Sequence, residues 1–306
     1  MKKKIQNMDR GILFMLLASL SFGMMGGFAK LLTHSLPPIE ITFFRNIAGV
    51  ILVGVTLWKV PLKQKGGKPF LLIFRGTMGF LALLAYFYIM AYIPLGEAVT
   101  YNKTSPIFVA IFAYIFLKED LPRSAILAIV IGFIGIVLVA KPDGFSLDKY
   151  DALGIFSGIG AALAYTSIRE LRKYYDTRAI VLSFMGIGTI GPIILMSLAP
   201  FVEHNRGDML FAEFIMPIGD EWFMVLAVGV FATISQILMT KAYELTKAGI
   251  VGTISYSNII FALIIGIVLG DPIPDILTFL GILLIITSGV LVSFPKNSNK
   301  QVVKNN

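Results

Sequence analysis

The sequence predicts an all-α polytopic membrane protein whose ten transmembrane helices form two inverted five-helix repeats. Three observations lead to this fold class: an apolar composition, ten separate apolar stretches, and an internal similarity between the two halves. Of the 306 residues, 57% are hydrophobic and only 14% are charged, whereas soluble domains carry about 25% charged residues. A soluble core could not bury so much apolar surface, so the chain is predicted to lie in a lipid bilayer.

Ten apolar stretches approach the length of about 20 residues that a helix needs to cross the hydrocarbon core. They are too long for the strands of a membrane barrel, so no strand is predicted. The first stretch also continues too far for the apolar region of a signal peptide, and we interpret it as a span. The expected spans are 11–32, 38–58, 70–92, 97–117, 122–140, 151–171, 179–201, 219–242, 249–269 and 275–294.

The lysines and arginines of the connecting segments predict the orientation of the chain. With a cytoplasmic N-terminus, 19 basic residues fall on the inside and four on the outside. Because cytoplasmic loops carry the excess of basic residues, both termini are expected in the cytoplasm of a multi-pass inner-membrane protein, surrounded by membrane lipid. The basic residues flank the spans instead of forming one patch, so the net charge of +8 does not predict a nucleic-acid partner.

The second half of the chain resembles the first at corresponding positions. The segment GILFMLLASLSF at 11–22 is similar to GIFSGIGAALAY at 154–165, and Ala91-Tyr92 is similar to Ala242-Tyr243. Since five spans is an odd number, the second copy enters the membrane in the opposite orientation. Inverted repeats of this kind place a substrate site near the middle of the bilayer, between the halves. The predicted units are a first repeat at 1–142, a second repeat at 143–295 and a polar cytoplasmic tail at 296–306.

The span at 97–117 carries the most unusual residues, because Asn102, Lys103, Thr104 and Pro106 lie near its middle. A lysine at that depth costs about 2.5–3.5 kcal/mol on insertion scales. Lys103 therefore either forms a cationic wall for an anionic or carboxylate-bearing substrate, with Asn102 and Thr104 beside it, or pairs with a buried acid or reaches out to the surface. Pro106 is predicted to bend this helix and to act as a hinge.

Two arginines also lie inside predicted spans. Arg45 is about eight residues into the second span, and contacts either the substrate or a gate, or else backbone carbonyls or Glu40. Arg75 is about one turn inside the cytoplasmic end of the third span, and either reaches the lipid headgroups or forms a gate. A further group of uncharged polar residues either lines a cavity or ties helices together; it consists of Gln236, Tyr256 and Asn258.

Residues 75–119 have small residues after the third span, Ser105-Pro106 in the fourth, and an apolar run that closes on Lys118-Glu119. In this pattern they resemble the drug/metabolite transporter superfamily with EamA-type repeats. The resemblance extends from about residue 10 to 295, and it departs at Ser257-Asn258, where the second repeat would have Ser-Pro. It implies two inverted five-helix bundles around a central cavity, and transport of a small polar metabolite by alternating access.

These observations predict a secondary transporter or facilitator whose partner is a small-molecule substrate, with an amino acid or derivative as the first candidate. Two alternatives stay open: transport of S-adenosylmethionine or another nucleoside-type cofactor, and flipping of a lipid-carrier-linked substrate through a lateral opening. With no cysteine, two histidines and no acidic cluster at a membrane face, neither an enzyme nor a bound metal or other cofactor is predicted. The protein is expected to act as a monomer or homodimer.

Overall fold

The computed structural model describes residues 2–59, 66–117, 123–140, 148–171, 173–203, 208–245 and 254–293. Within these ranges the regular structure is helical and no strand occurs. The helices are α1 Lys2–Leu32, α2 Pro38–Lys59, α3 Pro69–Met90, α4 Leu95–Asn102, α5 Ser105–Leu117, α6 Arg123–Ala140, α7 Lys149–Leu171, α8 Thr177–Leu198, α9 Glu221–Leu245, α10 Ser257–Val268 and α11 Ile276–Ser293, with a 3₁₀ turn at Ala199–Phe201.

Six of these helices are long and apolar enough to cross a membrane. The apolar stretches are Arg10–Leu32, Pro38–Trp58, Pro69–Met90, Lys149–Ile168, Arg178–Phe201, which runs from α8 through the 3₁₀ turn, and Glu221–Met239. Shorter apolar helices cover Ile126–Ala140, Ser257–Val268 and Ile276–Leu291. The prediction of a helical polytopic membrane protein is therefore confirmed, while the count of ten spans stays a prediction.

The fourth predicted span differs from the expectation, because it is two helices and not one bent helix. α4 ends at Asn102, α5 begins at Ser105, and Lys103 with Thr104 forms the turn between them. Pro106 has no N–H, so it cannot bond to the carbonyl of Asn102, and its ring disfavours a continuous helix there. The prediction that Pro106 lies inside one continuous helix is therefore wrong. Pro106 is the second residue of α5, close to a helix start, where proline is well tolerated.

The ninth predicted span, 249–269, shows a helix start at the corresponding place. α10 begins at Ser257, the residue that the internal similarity pairs with Ser105. Its second residue is Asn258 and not a proline, so this start does not depend on a missing N–H. Residues 249–253, the first part of this predicted span, lie outside the described residues.

The helices pack chiefly across the two halves of the chain. α1 packs on α9, α3 on α7, α2 on α8 and α6 on α11. α5 also packs on α7, and α10 packs on α1 and on α4. Each of these contacts joins a helix from before residue 142 to one from after it, so neither half is a separate body.

One end of the bundle, here called the first face, is where α1, α3 and α10 end and where α2, α4 and α7 begin. Lys30 of α1 forms an ion pair with Asp271, just after α10, and also donates a hydrogen bond to the Ile93 carbonyl at 3.1 Å. Asp271 accepts a hydrogen bond from the Leu95 N–H at 2.7 Å. These four residues, the first-face latch, tie together three segments that come from both halves.

The opposite end, the second face, carries a different charged network. Glu170, near the end of α7, accepts hydrogen bonds from Lys173 at 2.6 Å and from Lys68 at 2.8 Å. These bonds lower the pKa of Glu170 from its ordinary 4.5 to about 2. Because all three side chains are partly exposed to solvent, the network contributes little to stability. It joins the loop before α3 to the end of α7.

Candidate functional site

The turn between α4 and α5 is held against α7 by two side-chain hydrogen bonds. Tyr101 donates through Oη to Asp151 Oδ1 at 2.6 Å. Asn102 donates through Nδ2 to Ser157 Oγ at 2.9 Å. The two acceptors are six residues apart on α7, or about 9 Å along its axis, so the last turn of α4 is fixed relative to that helix at two points.

A close approach at Gly158 completes this contact. Thr104 donates its hydroxyl to the carbonyl of Tyr101 at 2.7 Å, which closes the end of α4. A Cβ at Gly158 would lie 2.2 Å from Thr104 Oγ1 and 2.9 Å from the Tyr101 carbonyl oxygen. Only glycine allows α7 to pass this close, so residue 158 sets where the turn sits.

Lys103 occupies the first position of the turn. Its N–H donates to the Val99 carbonyl at 2.9 Å, so the backbone still follows α4, while its side chain is half-buried. No carboxylate among the described residues forms an ion pair with its ammonium. A helix break also exposes polar backbone, and such breaks occur at membrane depth where they are buried in protein or line a cavity.

Arg45 and Arg75 lie against the same aromatic ring. The guanidinium carbon of Arg45, on α2, is 5.5 Å from the ring centre of Phe184, and that of Arg75, on α3, is 5.0 Å from it. Phe184 lies on α8. Arg45 and Arg75 are only 6% and 7% exposed. The structure thus brings together two of the predicted site residues from different helices, through a third residue that the sequence did not single out.

Most N–H donors of these two guanidinium groups have no hydrogen-bond acceptor among the described residues. Each carries five N–H donors. Within the described part of the chain, the one hydrogen bond of the pair runs from Arg45 Nη1 to Asn46 Oδ1 at 3.1 Å. The Nε atoms of both arginines are buried and donate to no described group. The expected alternative of a bond between Arg45 and Glu40 is not formed. Glu40 Oε2 accepts from the Ile215 N–H at 3.0 Å, and Glu40 Oε1 is buried and accepts from no described group.

Neighbouring helices complete the surroundings of this arginine pair. Asn46 donates to the Gly188 carbonyl at 3.2 Å, which ties α2 to α8. The phenol of Tyr165, on α7, lies near both guanidinium groups, and that of Tyr86 lies near Arg45. Tyr165 is eight residues beyond Ser157, or about 12 Å along α7. The arginine pair and the Lys103 turn are thus two separate groups along the same helix.

The other predicted site residues lie on α9 and at the start of α10. Tyr256 is 2% exposed, and its ring packs on Gly289 of α11. Asn258 is buried, and its Oδ1 accepts no hydrogen bond from the described residues. Gln236 is half-buried on α9, the helix that packs on α1. α10, which carries Asn258, packs on α4.

Two cavities of about 430 Å³ each open on the sides of the bundle, and neither is lined by the predicted site residues. The first lies near the first face, between α2, α8 and the segment before α9. The second, the α2–α9 groove, is an apolar opening between those two helices. Its lining consists of Phe44, Ile47, Ala48, Ile51, Leu52, Val225, Leu226, Gly229, Val230, Thr233 and Ile234.

Among the described residues, no group of three histidine, aspartate or glutamate side chains is placed to hold a metal ion. The residues that sequence reasoning missed are Phe184, Asn46 and Ser157. Phenylalanine and serine are common in apolar helices, so nothing local marks them. Asn46 beside Arg45, in an apolar span, was a usable signal, because a buried amide needs partners.

The fold defines a helical polytopic membrane protein, and the comparisons with known proteins place it in the transporter class. The profile of the EamA-like transporter family matches the chain twice, over residues 9–141 and 148–294. The chain belongs to the EamA-like transporter family, which confirms the resemblance to drug/metabolite transporters.

Individual relatives cover nearly the whole chain. An uncharacterized transporter of Helicobacter pylori is 33% identical over 93% of this chain and 95% of its own length. The pseudopaline exporter CntI of Pseudomonas aeruginosa is 32% identical over 94% and 96%. The human solute carrier family 35 member G1 is 26% identical over 94% and 80%. A crystal structure with 17% identity superposes with a TM-score of 0.55 over 95% of this chain and 96% of that one, and shows the fold alone.

Proposed function

We propose that the protein is a secondary transporter that moves a small polar organic metabolite, first of all an amino acid or derivative, across the inner membrane by alternating access. The observation that carries this proposal is Lys103. In a chain of a transporter family, a lysine at a helix break inside the fourth span has no carboxylate partner among the described residues. An interior charge in a membrane protein marks a substrate pathway by default.

The packing of the helices supports two inverted repeats of five spans, at 1–142 and 143–295. If α1 corresponds to α7 and α3 to α9, then the contact of α1 with α9 and the contact of α3 with α7 are equivalent. The contact of α5 with α7 is likewise equivalent to that of α10 with α1. In this arrangement α4 and α5 together form the fourth span, and ten spans return the chain to the side on which it began.

The excess of basic residues supports a cytoplasmic second face, with both termini on that side. The first face would then be the outer one, and we interpret the first-face latch as the contact that closes it. A closed outer face is one of the two end states that alternating access requires. A relative named as an exporter supports outward movement of the substrate.

The α2–α9 groove bears on the alternative of a lipid-carrier flippase, because it is a lateral opening between helices. Thr233 is the single polar side chain in its lining. A flippase must pass a polar headgroup, whereas this groove suits the acyl chain of a bilayer lipid. The apolar lining offers a polar headgroup no charged partner, which favours a water-soluble metabolite as the cargo.

The substrate can be identified by thermal-shift screening of the purified protein against a metabolite library, with amino-acid derivatives and S-adenosylmethionine included. Any compound that raises the unfolding temperature is then tested by counterflow in proteoliposomes. We expect counterflow with at least one organic anion. If stabilising compounds are found but none is exchanged across the membrane, the transport function is wrong.

Lys103 is tested by Lys103→Ala. We expect loss of at least about 90% of transport, since removing a charged hydrogen-bond donor from substrate costs about 1.5–3 kcal/mol. The amount of folded protein should stay the same. Lys241→Ala, which removes an exposed lysine from α9, is the matched control and should transport normally. Unchanged transport in Lys103→Ala would contradict the assignment.

A further inference from the structure

We propose that Arg45 and Arg75 form a carboxylate-binding site between α2, α3 and α8, and that an acid group of the transported metabolite occupies it. This inference deepens the proposed function and rests on it for the identity of the cargo. It states that the substrate carries a carboxylate, and that the arginine pair, separately from Lys103, recognises it.

The depth of the two arginines excludes a simple surface role. Arg45 is seven residues from the first-face end of α2, or about 10 Å, and Arg75 is six residues from the second-face end of α3, or about 9 Å. Both side chains are more than nine-tenths buried. This burial favours an interior role for Arg75 over the predicted alternative of reaching the lipid headgroups.

The charge of the pair has no counterion among the described residues. Two guanidinium groups share the ring of Phe184, and no described carboxylate forms an ion pair with either of them. Buried charges are normally paired, because an isolated one is costly to remove from water. A second buried positive charge on the same ring raises that cost further, so the site lacks an anion.

The chemistry of the donors selects the kind of anion. A guanidinium presents a planar fork of N–H groups that matches the two oxygens of a carboxylate. Phe184 holds both groups through its ring faces, and Asn46 holds Arg45 from the side through the bond to Nη1. The remaining donors, including both Nε atoms, are left for a ligand. A phosphate oxyanion shares this chemistry, so the test must separate a substrate acid from a lipid headgroup.

The experiment uses the full chain in nanodiscs of phosphatidylcholine. Thermal unfolding is followed while glutamate, succinate or citrate is added, with chloride adjusted to keep the ionic strength constant. We expect a saturable rise in the unfolding temperature with at least one of these carboxylates and a smaller rise with inorganic phosphate. A second set of nanodiscs contains phosphatidylglycerol. If anionic lipid alone gives the full rise and removes the response to carboxylates, the site binds headgroups and the proposal is wrong.

Variants locate the response at the arginine pair. Arg75→Gln and Arg45→Gln should each weaken the apparent affinity for the carboxylate by about 10-fold or more, as expected for a charged hydrogen bond. Arg75→Lys keeps the charge but loses the planar fork of N–H donors, and should therefore keep only part of the affinity for the carboxylate. Arg10→Gln removes an exposed arginine near the start of α1 and is the control that should bind normally. If one glutamine variant fails to fold, the other glutamine variant and Arg75→Lys still test whether carboxylate binding depends on the arginine pair.

The outcomes separate this inference from the transport function. Equal affinity in Arg75→Gln, Arg45→Gln and the unchanged protein, or no response to any carboxylate, overturns the carboxylate site. Carboxylate binding that depends on the arginines, without exchange in proteoliposomes, supports the site and overturns the transport function. A transported substrate that lacks an acid group supports the transport function and overturns the carboxylate site.

Discussion

At the scale of single residues, the structure separates side chains that already have partners from those that do not. Asn102 was predicted to contact substrate together with Lys103. Its amide is instead used in the hydrogen bond to Ser157, and Thr104 is used in closing the end of α4. Lys103 lies between them with no described acidic partner. We therefore interpret Asn102 and Thr104 as residues that position the turn, and Lys103 as the group that faces the cargo.

The role of Asn102 is tested with a double-mutant cycle on Asn102→Ala and Ser157→Ala. Each variant should lower stability slightly, and the coupling energy should be about 0.6 kcal/mol, as for other polar pairs in membranes. Because both variants loosen the same contact, they should change the KM for transport alike. A large rise in KM for Asn102→Ala alone, with Ser157→Ala normal, would show that Asn102 binds the substrate.

At the scale of helices, close approach of α3 to α8 is what places Phe184 between the arginines. A Cβ at Gly76 would lie 2.6 Å from the Ser183 carbonyl oxygen and 2.5 Å from Ile187 Cδ1. One turn along α3, a Cβ at Gly79 would lie 2.8 Å from the Phe184 ring. A backbone carbonyl cannot move aside as a flexible side chain can. The glycines of α3 thus set the position of the ring on which the arginine pair depends.

We expect Gly76→Ala to lower the free energy of unfolding by about 1–3 kcal/mol, the usual cost of overpacking. It should also weaken carboxylate binding, because α8 and Phe184 move away from α3. Unfolding in mixed micelles measures the first effect and the nanodisc assay the second. Gly186→Ala on α8 is the control: its Cβ meets nothing within 4 Å, so it should be neutral or gain up to about 1 kcal/mol from helix propensity. Equal behaviour of the two variants would contradict this account.

At the scale of the whole molecule, the first-face latch joins the two halves at one end of the bundle. Lys30 lies on α1, Asp271 follows α10, Ile93 lies in the loop before α4, and Leu95 is the first residue of α4. In the proposed alternating-access mechanism these segments separate when the face opens. On that proposal the ion pair belongs to the closed state of this face, and its loss should favour the open state.

Asp271→Asn removes the ion pair with Lys30 and tests whether its loss opens the first face. Because the chain has no cysteine, a single introduced cysteine can be labelled without background. A single Thr100→Cys reporter replaces a fully buried residue of α4, below the latch. We expect a membrane-impermeant maleimide, added on the outer side, to label it about fivefold faster or more when Asp271→Asn is also present. Asp220→Asn, an exposed acid on the same face, should leave the rate unchanged. If both substitutions have the same effect, the latch does not control access.

The sequence by itself determined the class of this protein, its family and the position of its most unusual residue, Lys103. These follow from local properties, because a span is about 20 consecutive apolar residues and a charge inside one is visible without knowing any neighbour. Tertiary structure alone decided that α4 and α5 break apart against α7, that Arg45 and Arg75 share Phe184, and that Lys30 meets Asp271. Those contacts join residues as far as 241 positions apart. Apolar helices look alike to one another in sequence, so only packing selects which faces meet.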